Sequence, residues 1–149
     1  MSTVKTMLTD NADSGEYCIR VRAACVEPVE AVFACRPCTD EEECWSFHNG
    51  KWTSNSGGHT IDVISAAAVR WSYTVSIVMK DDTAACLATL CGENARAFFQ
   101  DCVPADLSQD PASARKLQTK IDAIRTSSCL LVKIAKNGAH FQILQMSIV

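Results

Sequence analysis

Three cysteines and two histidines are the residues best suited to chemistry in this chain, and all five fall between positions 35 and 59. Cys35 and Cys38 stand at the spacing with which a knuckle turns two thiolates toward one tetrahedral zinc ion. Cys44 and His48 follow and would complete a four-ligand shell, with His59 able to replace either of them. The chain has no second Cys-x2-Cys pair, so the competing reading is a turn whose cysteines hold no metal. The other six cysteines, Cys18, Cys25, Cys86, Cys91, Cys102 and Cys129, lie in strand-like or helix-edge runs and read as small buried hydrophobes. A count of nine is odd, and Met1-Ser-Thr-Val-Lys-Thr-Met has no long apolar core of a secretory signal, so a disulfide framework is not expected.

Catalytic constellations are missing. The chain has three histidines, and His140 falls inside a strand pattern. No Gly-x-Ser-x-Gly, Walker or dinucleotide loop is present, and Asp81-Asp82 reads as a hairpin turn rather than a pair of working carboxylates. The expectation is a protein that is not an enzyme. What remains is binding. Phe33, Trp45, Phe47 and Trp52 give the cysteine-bearing segment its apolar content. They read either as a small local core and its contact with the rest of the fold, or as a surface for a protein partner or for stacked bases.

The elements that would position these residues alternate with period two. Tyr17 to Val29 is a long half-buried strand, with Ile19, Val21, Ala23 and Cys25 on one side and Arg20 and Arg22 on the other. Pro28 marks a bend near its end. Residues 34–60 form an insertion rich in turn signals, among them Asn49-Gly50 and Gly57-Gly58. Trp71 to Met79 and Ala84 to Cys91 form a hairpin through Lys80-Asp81-Asp82-Thr83. Glu93 to Gln100 reads as a short helix burying Phe98 and Phe99. Asp110-Pro111 opens a longer helix with Leu117, Ile121 and Ile124 on one face. Cys129 to Ala135, Asn137-Gly138 and Ala139 to Val149 close the chain as a second hairpin.

Strand, insertion, strand, turn, strand, helix, strand, turn, strand is the order of an OB fold. The fold class expected is therefore mainly β with helix, a five-stranded OB-fold barrel with the helix at 111–125 over one end. The insertion, carrying the zinc knuckle, lies between the first and second strands. Residues 1–15 read as a leader with one helical turn around Thr3 to Leu8, and 16–149 as a single domain. The chain has 14 basic and 17 acidic residues, a net charge of -3, scattered cations and an acidic run at Asp40-Glu41-Glu42-Glu43. Domains that hold phosphate backbones alone usually show a basic face, so this balance speaks for a protein ligand. No apolar run reaches membrane-spanning length, and no membrane association is expected.

The second half, roughly residues 70 to 146, resembles the C-terminal, third OB fold of protection-of-telomeres proteins. The likeness lies in Val75-Ser-Ile-Val-Met-Lys-Asp-Asp-Thr, Phe98-Phe99-Gln100, Pro104-Ala105-Asp106-Leu107, Cys129-Leu-Leu-Val-Lys and Phe141-Gln-Ile-Leu. Thr3-Val-Lys-Thr-Met-Leu and Tyr17-Cys-Ile-Arg-Val-Arg resemble the way that family leads into an OB fold. The resemblance implies a nuclear, telomeric module that engages a protein partner of the telomere cap, while other domains of a longer protein hold single-stranded telomeric DNA. It also implies zinc in the insertion. The alternative is a single-stranded DNA-binding OB domain similar to the zinc-ribbon domain of the replication protein A large subunit.

Overall fold

The computed structural model describes residues 1–12, 14–38, 45–48, 51–54, 60–61 and 70–149. Helix α1 (Val4–Thr9) leads into strand β1 (Ser14–Glu27). A 3-10 turn at Ala31–Phe33 precedes β2 (Cys35–Cys38), β3 (Trp45–His48), β4 (Lys51–Ser54) and the short β5 (Thr60–Ile61). The hairpin of β6 (Arg70–Lys80) and β7 (Ala85–Cys91) runs into α2 (Gly92–Phe98). After a second 3-10 turn at Leu107–Gln109 come α3 (Pro111–Thr126), β8 (Leu130–Asn137) and β9 (His140–Ile148).

The main sheet runs β1-β8-β9-β7-β6-β2, and β1 also pairs with β6. Five of its strands thus form a ring in the order of an OB fold, with β2 added outside β6. The closure is narrow at β7 and β9, which meet through a single parallel pair, Thr89 opposite Gln142. β1 serves two neighbours in turn. It pairs with β8 from Ser14 to Val21 and with β6 from Arg22 to Glu27.

Alternation governs which side chains face in. Tyr73, Val75, Ile77 and Met79 of β6 are buried, as are Cys86, Ala88 and Leu90 of β7. On β1 the expected register holds through Ile19 and Val21. A bulge between Ala23 and Cys25 then inserts one residue, so Val26 is buried and Cys25 is exposed. The strand ends at Glu27, just before Pro28.

α3 begins as its sequence demands. The Asp110 carboxylate accepts the Ser113 N–H at 3.1 Å, Pro111 occupies the first turn, and Leu117, Ile121 and Ile124 are fully buried. Phe99 is buried after α2 and packs edge-on against Tyr73 at 5.3 Å; Phe98 is half-buried.

The first residues, expected as a leader with one helical turn, pack against this fold. Ser2 bridges Ile19 of β1, and its N–H donates to the Cys18 carbonyl at 3.0 Å. Val4 and Met7 are fully buried in the same core. The helix is held at both ends. The Asp81 carboxylate accepts the Val4 N–H at 2.8 Å, and the Thr83 hydroxyl accepts the Lys5 N–H at 3.1 Å. At the other end the Lys136 ammonium, 8% exposed, donates to the carbonyls of Met7 and Asp10 at 2.9 and 2.8 Å. A cation belongs at a helix C-terminus, where carbonyls are left without intrahelical partners.

Candidate functional site: the outer face of the ring

The cysteine pair does not form the expected turn. Cys35 and Cys38 are the two ends of β2, paired opposite Tyr73 and Arg70 of β6. Residues three apart on a strand stand ~10 Å apart, which is not the arrangement of a knuckle. Cys35 is fully buried, and its sulfur accepts the Ala105 N–H at 3.2 Å. Burial pushes its thiol up to about 12, against a smaller downward pull from that hydrogen bond. Cys35 therefore occupies a core position. Cys44 and His59 lie outside the described residues, as do the side chains of Cys38 and His48. Among the described residues no three His, Cys, Asp or Glu side chains cluster as a metal site.

The remaining cysteines divide. Cys86 and Cys102 are buried as expected, with burial raising the Cys86 thiol to about 11. Cys91 and Cys129 are half-buried. Cys18 and Cys25 are exposed, because the β1 register turns Cys18 outward and the bulge does the same for Cys25.

The expected aromatic contacts also divide. Trp52 is 3% exposed, and its ring meets Trp71 edge-on at 5.8 Å. It joins the small sheet β3-β4-β5 to the main one rather than offering a free surface. Phe33 is half-buried in the turn before β2. Trp45 and Phe47 lie on β3, opposite Ser54 and Trp52 of β4, with side chains outside the described residues.

OB folds bind ligands on the face of their second and third strands, which here are β6 and β7. The outward residues of β6 run from exposed Arg70 through Ser72, Thr74, Ser76 and Val78 to exposed Lys80; those of β7 are Ala85, Leu87, Thr89 and Cys91. Between its two end cations the face is small and mixed, with the hydroxyls of Ser72, Thr74, Ser76 and Thr89 set among Val78, Ala85 and Leu87, and with exposed Arg36 of β2 opposite Ser72. Leu87 is 59% exposed on it. A shallow groove continues from Leu87 across the narrow β7–β9 contact, lined by Leu8, Cys86, Thr89, Cys91 and Phe141. Among the described residues no Phe, Tyr or Trp side chain is exposed, though exposed His140 lines the groove. Tyr73, Phe99 and Trp52 are buried, and Tyr17, Phe33, Trp71, Phe98 and Phe141 are half-buried.

Cations gather at one end of this face. Lys80 ends β6, and Arg22 of β1 lies opposite it, with Arg20 two residues away. They line a depression with Val21, Asp81, Asp82, Ser128 and Cys129. Sequence alternation turned Arg20 and Arg22 outward, but the grouping with Lys80 depends on strand pairing across nearly sixty positions and was not legible.

No protein-family model and no curated protein matches the chain. Solved structures do. A chain of the crystal structure of fission yeast Pot1 and Tpz1 superposes with a TM-score of 0.65 at 7% identity, covering 99% of this chain and 91% of that one. A replication protein A heterotrimer bound to single-stranded DNA gives 0.59 at 11% identity, covering 99% of this chain and 36% of the other. Yeast replication protein A bound to single-stranded DNA gives 0.55 at 14% identity, with 100% and 88% covered. Likeness at such identities is likeness of fold, and it agrees with the strand order: the chain is an OB-fold protein.

Proposed function

We propose that this OB fold is a protein-interaction module of a nuclear assembly that protects or handles single-stranded chromosome ends. Its role is one of binding, not catalysis. The resemblance of its sequence to the third OB fold of protection-of-telomeres proteins supports this reading, as does its likeness in fold to the Pot1 and Tpz1 structure. One observation carries the choice of ligand. The β6–β7 face presents Ser72, Thr74, Ser76, Val78, Leu87 and Thr89, and no described Phe, Tyr or Trp is exposed. Single-strand binding without sequence preference uses a cationic track and aromatic platforms, each stacked base contributing about 1–3 kcal/mol. A face of small hydroxyl side chains around Val78 and exposed Leu87 instead suits a protein segment, with Leu87 as its apolar anchor.

The test is reconstitution. The chain is immobilised in nuclease-treated nuclear extract, the retained protein is identified, and the pair is remade from purified components. A one-to-one complex that survives nuclease and is weakened about tenfold by Leu87→Asp is the expected result. Retention that vanishes on nuclease treatment would contradict the proposal. Replication protein A bound to single-stranded DNA supports the alternative, a domain that holds the strand itself.

A further inference from the structure

Arg22 stands directly opposite Lys80 at the point where β1 leaves β8 and joins β6. Both side chains are exposed on the outer face, since Val21 and Met79 beside them are buried. Like charges directly opposite one another on a sheet destabilise the pairing. Arg20 adds a third cation on the same face, about 7 Å along the strand.

Asp81 and Asp82 line the same depression, but neither forms an ion pair with these cations. Lys133 pairs with Glu16 at 3.2 Å, Lys120 with Asp101 at 3.7 Å and Arg125 with Asp122 at 2.6 Å. Among the described residues, no carboxylate comes within ion-pair distance of Arg20, Arg22 or Lys80. Asp81 lies at the rim with its oxygens turned to Val4, Thr83 and Ala84, and its charge offsets part of the three cations without pairing with any of them. Asp82 is exposed at the same rim. In a chain of net charge -3, a cation pair set face to face with no ion-pair partner among the described residues breaks local consistency, and such breaks concentrate at functional sites.

We infer that Arg20, Arg22 and Lys80 form a docking notch for an acidic, extended segment of the protein partner. The inference rests on the partner-module reading above and deepens it. Carboxylates on alternate residues of an extended segment repeat every ~7 Å, the spacing of Arg20 and Arg22. Guanidinium forks take carboxylates bidentately, and Lys80 supplies a point charge beside them. The notch continues the β6 face, because Ser76, Val78 and Lys80 follow one another on its outer side. Phosphodiesters would find charge here, but no exposed Phe, Tyr or Trp among the described residues to stack a base.

The experiment uses the full chain and fluorescence anisotropy at ~0.05 M salt, where exposed charges are weakly screened. The probes are a labelled peptide alternating Glu and Ser, its Gln-for-Glu counterpart, and labelled oligothymidine. The Glu peptide is expected to bind, the Gln peptide not to, and Arg22→Glu to weaken the Glu peptide about tenfold. The same substitution puts opposite charges across β1 and β6, so its melting temperature should hold or rise; lost binding then cannot be lost folding. Peptide binding that is absent, or unchanged in Arg22→Glu, would overturn the notch while leaving the partner-module reading intact, provided oligothymidine also binds weakly. Oligothymidine binding more tightly than the peptide, and weakened by Arg22→Glu, would make the notch a phosphate site and overturn both.

Discussion

Lys136, Asp81 and Cys35 each do something their sequence context conceals. Lys136 sits in a strand where a lysine would ordinarily face water, yet its ammonium is buried against the carbonyls that end α1. Hydrogen bonds to charged groups contribute about 1.5–3 kcal/mol. Lys136→Met should therefore lower stability by ~2 kcal/mol in urea unfolding and speed amide exchange along Val4–Thr9; an unchanged midpoint would contradict the clamp. Asp81 grips the other end of α1. Burial would raise its carboxyl, but hydrogen bonds from the Thr83 side chain and from the backbone of Val4, Thr83 and Ala84 bring it down to about 2. The unfolded value is about 3.9. A depressed carboxyl adds stability above its unfolded value and loses it as the pH falls toward the folded one. Stability should thus decline between about pH 4 and pH 2, and Asp81→Asn should flatten that slope while lowering stability at neutral pH. For Cys35, burial and a thiol near 12 make alkylation at neutral pH slow. Mass spectrometry of the native protein should find exposed Cys18 and Cys25 modified before Cys35, Cys86 and Cys102. Early modification of Cys35 would return it to the surface, where a metal ligand could be sought.

At the scale of elements, legibility followed local pattern. The β6–β7 hairpin, the Asp110-Pro111 start of α3 and the Asn137-Gly138 turn were readable because alternation, cap and turn chemistry reside in neighbouring residues. The β1 bulge was not, since one extra residue at Ala23–Cys25 is set by pairing with β6. Nor was β2 legible. Cys35-Arg-Pro-Cys38 has the composition of a turn, and only pairing with Arg70–Tyr73 makes it a strand. Helix α1 was legible as a helical turn but not as a plug, because its partners are Asp81 and Lys136, far along the chain. Its six residues are too few to be stable alone, so its order comes from docking Val4 and Met7. Met7→Ala should then cost about 2–5 kcal/mol, a loss that thermal or urea unfolding would register.

At the scale of the whole molecule, the ring β1-β8-β9-β7-β6 fixes an OB fold, and the question is what that fold holds. The candidate site was legible only in part. Trp52 is packed between the sheets, while the β6–β7 face and the Arg20, Arg22 and Lys80 notch emerged from strand neighbours that no local window shows. The described Phe, Tyr and Trp side chains are buried or half-buried, so none stands out as a stacking platform. The central claim, a protein ligand rather than a DNA strand, is tested most directly by titrating the chain with labelled single-stranded telomeric oligonucleotide at ~0.15 M salt. The account predicts a dissociation constant weaker than about micromolar. Binding tighter than that, falling steeply as salt is raised, would mean that phosphates are contacted directly and would contradict it.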